Sequence, residues 1–478
     1  MPDAPAPCIL GMDFLLRYDV TLSPARNFLQ FGNGKRIALC SNSQSRLLAA
    51  TIALRGDRTE LKPPVDKDYP RPVIGDAPMT PEQQAKAQAL LDEYSFCFAT
   101  RDRPLGCAKG LFARVRPTGQ PFKAKLAALS PAQLEVQQKC IDEMLRFNVI
   151  QPSESEWASR PSFAPKPDGS IRFCLNFRRL NQTLTKDNYP LPRAPELIET
   201  LRGKRYFSSV DAASGYWQIP VHPDDVKYTA AITHSGLFEF IRMPFGLSNA
   251  PACYQRMMDK ILKHGLRRFC CVYLDDVLIY SNTFDEHMEH VRRCMRWINE
   301  AGLLLKAKKC EFFVKEATYL GHIVGNGQIR MTDDKIRKII DFPVPRNVRE
   351  VQSFLGVTGY YRKFISDYAA IAAPLNETTA KGVEWDWSPE RERAFQTLKK
   401  DFNENVPLQM PDYGKPFIID TDASDFAVGA VLNQVDDEGN ERPIFFGSRK
   451  LSPAEKKWPV RDKEALVMYN GFIIIVMN

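Results

Sequence analysis

Two adjacent aspartates, Asp275 and Asp276, lie within FCCVYLDDVLIYS at 269–281. Apolar and β-branched residues run into the pair and out again, which predicts two short buried strands joined at an acidic turn. Carboxylates held on such a tip either cap their own turn, since Asp bonds nearby backbone, or bind a cation. At average residue frequencies a Tyr-x-Asp-Asp string arises in roughly 4% of chains this long, so the pair alone does not decide. Mg2+ keeps octahedral geometry and takes one or two carboxylates together with substrate phosphates. A third oxygen donor is therefore needed, and Asp211 is the candidate. Tyr206-Phe207-Ser208-Ser209-Val210 reads as a strand that delivers it, and Gly215 gives the following turn its backbone freedom.

An acidic metal site that handles a triphosphate also needs cations to spread over the phosphate oxygens. WASRPSFAPKPDGSIRFCLNFRRLN at 157–181 reads as two strands joined at Lys166-Pro167-Asp168-Gly169. It carries Lys166 and Arg172, with Arg178 and Arg179 just beyond; on composition alone these four read equally as a solvated face. No Gly-x-x-x-x-Gly-Lys-Ser/Thr loop occurs, so nucleotide handling is not of the P-loop kind. His287, His290 and Cys294 share one helical face at a zinc-like spacing, but a helix following the Asp-Asp hairpin accounts for them better.

Six stretches, taken in order, carry a resemblance: SIRFCLNFRRLN (170–181), YFSSVDAASGYWQIPV (206–221), MPFGLSNAP (243–251), FCCVYLDDVLIYS (269–281), YLGHIV (319–324) and FLGVTGYYRKFI (354–365). Together they resemble the reverse transcriptases of gypsy-type LTR retrotransposon polyproteins. The resemblance implies an α+β, right-hand polymerase with fingers, a ferredoxin-like palm and a thumb, then a connection region and a truncated RNase H-like domain. It implies two Mg2+ ions, replaceable by Mn2+, on Asp211, Asp275 and Asp276. It places Arg172 over the incoming nucleotide, Lys166 at its phosphates, Tyr216 as the pocket floor, and Phe245 and Gly246 beside the pairing base. Tyr319, Leu320, Gly321 and His322 match the primer grip, and Tyr360 to Lys363 form a candidate contact to the hybrid. Asn176 stands where the family usually has Asp. The implied partners are an RNA template, a DNA or tRNA primer, an RNA–DNA hybrid and deoxynucleoside triphosphates, with no membrane. A catalytically silent remnant that binds primer and template without copying is the alternative.

At 478 residues the chain accommodates roughly three domains. With 44% hydrophobic and 26% charged residues it is ordinarily globular, and a net charge of +8 is compatible with a polyanionic partner without demanding one. Residues 1–40 resemble the end of a retropepsin-like protease, and no Asp-Thr/Ser-Gly triplet accompanies them. Linker and an N-terminal helix follow over 41–110, with fingers, palm and thumb start over 111–330, thumb and connection over 331–412, and a partial RNase H-like domain over 413–478. Helices are expected from Thr80-Pro81 to near Phe98, from Ser130-Pro131 with Leu134, Ile141 and Leu145 inward, from Thr332, from Asn347 with Glu350, and from Ser388-Pro389. In the last segment Asp422 and Glu464 match the first two RNase H carboxylates; two more are not found, so that activity is expected to be absent or very weak, with an exposed edge near 471–478. Eleven cysteines without a Cys-x-x-Cys pair, no signal-peptide pattern and no membrane-length apolar run lead to an expected intracellular location, cytoplasmic in a virus-like particle or nuclear, and not secreted.

Overall fold

The structure, a computed structural model, describes residues 72–126, 128–165, 171–424, 427–459 and 461–466, together with three short strands nearer the start of the chain. It divides into two units, Met1–Pro64 and Val65–Asn478. In the first, Thr21–Ser23, Phe28–Gln30 and Arg36–Ala38 pair antiparallel in sequence order. Gly32-Asn33-Gly34, a turn signal in the sequence, lies outside the described residues.

The second unit is built on a five-stranded sheet whose order is Cys270–Tyr273, Asp276–Ser281, Tyr206–Asp211, Glu311–Val314 and Val73–Ile74. The first four pair antiparallel, and the last runs parallel to its neighbour. With the helices Ala250–Ile261 and Phe284–Glu300, these four strands give the βαββαβ order of a ferredoxin-like fold. Alternation along each strand sends Val210, Cys270, Val272, Val277 and Ile279 to one face. There they pack with Tyr254, Met257 and Met258 of the first helix and Val291, Met295 and Ile298 of the second. The other face, with Phe207, Cys271, Leu278 and Tyr280, is covered by Tyr319, Val324, Phe354, Phe364, Phe395 and Leu398. A sheet buried on both faces explains why its strands read as continuous apolar runs.

Beside it, Ile150–Pro152, Gly236–Phe240 and Ala231–Thr233 form a small sheet, and Arg160–Pro165 pairs with Ile171–Asn176 as expected. After the palm come two hairpins over 316–331 and a group of helices. Helix Asp333–Ile340 follows Thr332, Val348–Tyr360 is capped by Asn347, and Pro389–Asn403 is capped by Ser388 and buries Phe395 and Leu398. The last described sheet is Ile418–Ala423, Ala427–Val435 and Glu441–Lys450, followed by a helix at 461–466. Among the described residues no helix is long and apolar enough to cross a membrane.

Two expectations shift. The helix opening at Thr80 ends at Glu93, and a separate 3₁₀ turn, Ser95–Cys97, carries the chain to Phe98. In Pro131–Arg146 the buried stripe is Gln137, Ile141 and Met144, while Leu134 is exposed. The helix docks through Ile141 and Met144 onto Val149, Ile150 and Phe240, with Leu145 half-buried against the same cluster, and leaves Leu134 outside it.

Candidate active site

Asp211 ends one strand and Asp276 begins its neighbour, and the register sets the two directly opposite each other. By strand alternation both leave the sheet on the side of Phe207, Leu278 and Tyr280. Asp275 occupies the hairpin turn after Leu274, whose φ of 54° gives the reversal its handedness. Directly opposed like charges repel, and the ionisation shows it. Burial first, then Asp211 and Asp276, push the Asp275 carboxyl up to about 6 against the pull of Lys309. Burial and Asp211 raise Asp276 as well, again opposed by Lys309. Lys309 Nζ lies 2.9 Å from Asp211 Oδ2. Asp275 Oδ1 is buried and accepts no hydrogen bond.

Among the described residues no three His, Cys, Asp or Glu side chains already converge as a closed ligand set. The cluster nonetheless fits a divalent cation in its chemistry: hard carboxylate oxygens, one of them buried and without a partner, and a repulsion that a positive charge relieves. Asp211, Asp275 and Asp276 are the residues that would hold it.

Several supports were not legible in the sequence. Gln255, fully buried on helix Ala250–Ile261, accepts from Leu274 N at 2.7 Å, and its Nε2 donates to Val272 O at 3.2 Å and to Asp259 Oδ1 at 2.9 Å. It thereby clamps the turn that carries Asp275. Gly215, expected to give the turn its backbone freedom, does not have a positive φ and is needed for space instead: a Cβ there would stand 2.9 Å from the Tyr254 ring and 3.0 Å from Asp275 Oδ1. Behind the sheet, Ser208 Oγ meets His287 Nε2 at 2.7 Å, and Ser281 Oγ lies 2.9 Å from His287 Nδ1 and 2.7 Å from His290 Nδ1. His290 stacks on Phe269. The His287, His290 and Cys294 stripe is thus a buried structural network joining the two central strands to their helix.

The resemblance-derived nucleotide residues fall into two groups. Tyr216 stands on the turn after Asp211, its ring 5.2 Å from Phe245 and 5.4 Å from Tyr254. Burial and Asp275 push its hydroxyl up to about 12. Phe245 remains 47% exposed. Gly246, at φ 93°, presents its carbonyl to Asn181 Nδ2 at 2.9 Å. Arg172 is exposed on the Ile171–Asn176 strand; Lys166 lies outside the described residues. Arg179 sits over the Phe122 ring at 4.5 Å. Asn176 Oδ1 accepts from Arg178 N at 3.2 Å, so the amide keeps a capping bond that an aspartate would also make.

Tyr319 to His322 form a tight hairpin, Leu320 and Gly321 both having positive φ, 51° and 78°. Tyr360 OH donates to Leu320 O and Tyr361 OH to Gly321 O, each at 3.2 Å. The two tyrosines therefore fasten the turn. Burial, helped by Lys363, pushes the His322 ring down to about 3. Asp422 in the last sheet and Glu464 on the helix that follows it are both exposed.

A family model described as reverse transcriptase (RNA-dependent DNA polymerase) matches residues 164–324. A second, described as an RNase H-like domain found in reverse transcriptase, matches 387–473. The retrovirus-related Pol polyprotein from transposon 297 of Drosophila melanogaster is 39% identical over 342 residues, covering 70% of this chain and 32% of the relative. That from transposon opus of the same fly is 37% identical over 397 residues, 80% and 40%. The transposon Tf2-3 polyprotein of Schizosaccharomyces pombe is 31% identical over 362 residues, 75% and 27%. The chain thus spans 40% or less of the length of these curated relatives. Among solved structures, a foamy viral protease-reverse transcriptase in complex with double-stranded DNA superposes with a TM-score of 0.75, covering 84% of this chain and 70% of that one. The foamy viral protease-reverse transcriptase with an RNA/DNA hybrid gives 0.71, covering 84% and 54%. At 24% identity both likenesses show the fold alone. The paired carboxylate strands fall inside the matched segment: residues 164–324 form a reverse transcriptase domain, similar to that of retrotransposon Pol polyproteins.

Proposed function

We propose that this chain is an RNA-directed DNA polymerase, adding deoxynucleotides to a DNA or tRNA primer on an RNA or DNA template. The observation that carries the reading is the meeting of Asp211 and Asp276 across adjacent strands, with Asp275 on the turn between strands and the Tyr216–Phe245 aromatic pair close by. Two divalent ions, Mg2+ or in its place Mn2+, would be held by Asp211, Asp275 and Asp276 and would supply activation of the primer 3′-hydroxyl and charge stabilisation at the leaving pyrophosphate. The chain's own residues do the rest. Tyr216 forms the floor under the sugar, where its ring leaves no space for a 2′-hydroxyl. Phe245 and Gly246 flank the pairing base, Arg172 and Lys166 meet the triphosphate, and the Tyr319–His322 turn orients the primer end. Such contacts bind backbone and stacked bases, not base edges, as copying requires.

Within the segment matched to an RNase H-like domain, Asp422 and Glu464 would be the first two metal-binding carboxylates of such a site. An intracellular location follows from the same functional reading. The test is to follow binding and extension of one labelled primer on an RNA template with all four dNTPs and Mg2+. Binding with extension is expected. Binding without extension under any divalent ion would make the chain a silent primer-template binder instead.

A further inference from the structure

The hydrogen bonds that hold the Asp275 turn do not stop at Gln255. Its Nε2 donates to Asp259 Oδ1 one helical turn further on, and the other oxygen, Asp259 Oδ2, accepts from the Tyr189 hydroxyl at 2.7 Å. Asp259 first, then burial, push that hydroxyl up to about 12. Tyr189 is itself held from two sides. Its backbone N–H donates to Asp187 Oδ1 at 3.1 Å, and the Arg256 guanidinium, which pairs with Asp187, lies 4.8 Å over its ring. Asp187 N donates to Asn249 Oδ1 at 3.2 Å, Asn249 Nδ2 to Thr185 O at 2.8 Å, and Ser248 N to Asn181 Oδ1 at 2.9 Å. Segment 181–189 is therefore stitched to the loop 246–249 and, through Asp259 and Gln255, to Leu274 N.

A glutamine keeps one rotamer in a buried site only while its amide partners stay in place. Of the two acceptors on Gln255 Nε2, Val272 O is a neutral carbonyl at 3.2 Å and Asp259 is a carboxylate at 2.9 Å. Hydrogen bonds to a charged acceptor are roughly twice as strong as neutral ones, so Asp259 is the firmer anchor. A carboxylate also has an oxygen for each neighbour, and Tyr189 takes the second. Neither Asp259 nor Tyr189 bonds the Asp275 turn directly; both reach it through Gln255. Loss of such a support displaces reacting groups and lowers the rate of the chemical step more than it weakens binding.

Resting on the polymerase reading above, we propose that Asp259 is a positioning residue for nucleotide addition: its two carboxylate oxygens tie the Tyr189 hydroxyl to the Gln255 amide and so hold the Leu274–Asp275 turn in its working place. Asp259 touches neither metal nor nucleotide, and its part is that of a hydrogen-bond acceptor, not of a charge.

The test is single-nucleotide extension of a DNA primer on an RNA template with Mg2+ in the full chain, read as kcat and as KM for the dNTP, with melting temperature to check that each variant folds. Asp259→Leu is expected to lower kcat about 10-fold and to leave KM at the parent's value. Asp259→Asn can still accept from Gln255 Nε2 and can donate to the Tyr189 oxygen, so it is expected to regain most of the lost rate. In a Gln255→Leu background Asp259→Leu is expected to add no further loss, because the residue it acts through is gone. An unchanged kcat in Asp259→Leu, a change in KM alone, or losses that add in the double variant would each overturn the assignment while leaving the polymerase reading intact. An Asn variant as slow as the Leu variant overturns it too, since it would report charge and not hydrogen bonding. Should Asp259→Leu not fold, Tyr189→Phe, which removes one hydroxyl, carries the test: a lowered kcat at constant KM supports the assignment and an unchanged kcat overturns it. A parent that binds primer-template without extending it overturns both readings.

Discussion

Gln255 makes its hydrogen bonds to a turn nineteen positions away and to its own helix, so nothing in its neighbourhood along the chain announces it. Gln255→Leu leaves the Leu274 N–H without its acceptor. The expected cost is about 1–3 kcal/mol in urea unfolding, with primer extension down on the order of 100-fold as Asp275 moves; unchanged extension would contradict the clamp. The carboxylates themselves are a liability to the fold. A carboxyl raised to about 6 in the folded chain from an ordinary 3.8 binds more protons folded than unfolded between those values, so stability is lost as pH rises through that window. Asp275→Asn with Asp276→Asn should therefore melt above the parent without metal, by about 1–3 kcal/mol at pH 8. Added Mg2+ should stabilise the parent and not the variant. A double variant less stable than the parent would show that the repulsion is not there. Tyr216→Val should raise ribonucleotide incorporation relative to deoxynucleotide by roughly 10- to 100-fold, read in single-nucleotide extension; unaltered discrimination would remove Tyr216 from the pocket floor.

At the scale of elements, three of the four core strands were legible because they are apolar runs broken by aspartates; the fourth, Glu311–Val314, and the helix Ala250–Ile261 were not singled out, and the ferredoxin-like order came from the resemblance. The helix caps at Thr80, Ser130, Asn347 and Ser388 were legible for a local reason, since each bond closes within three or four residues. Orientation about a helix axis was only partly so: Leu134 looks like core, and the sheet that Ile141 and Met144 meet leaves it exposed. The histidine stripe shows the same limit. A helix after the hairpin was preferred to a metal for it, but its partners, Ser208 and Ser281, sit on strands and were not named. Burial holds His287 down to about 3 and His322 likewise, so both are neutral when folded and take up a proton when unfolded. Their contribution is complete above pH 6.5 and is lost as pH falls from there toward 3, about 2 kcal/mol each by pH 5. Urea midpoints at pH 8 and pH 5 should show this loss, and His287→Gln should remove its share. A His287→Gln variant with the parent's full acid sensitivity would contradict the buried neutral ring.

Across the whole molecule, one sheet face packs two helices and the other receives the hairpins and helices after the palm, so the carboxylates stand where the second layer approaches the first. The residues named from motifs come from segments spread over 170–322, and their convergence was legible only through the family resemblance, because contacts such as Lys309 with Asp211 or Asn181 with Gly246 span 98 and 65 positions. Asp422 and Glu464 were named from a motif match alone, and both side chains are exposed. The most direct test of the polymerase is extension of oligo(dT) on poly(rA) with dTTP and Mg2+, comparing the parent with the Asp275→Asn, Asp276→Asn variant at equal primer-template occupancy. Extension by the parent and none by the equally bound variant is the expected result; equal extension by both would mean that these carboxylates do not carry the reaction.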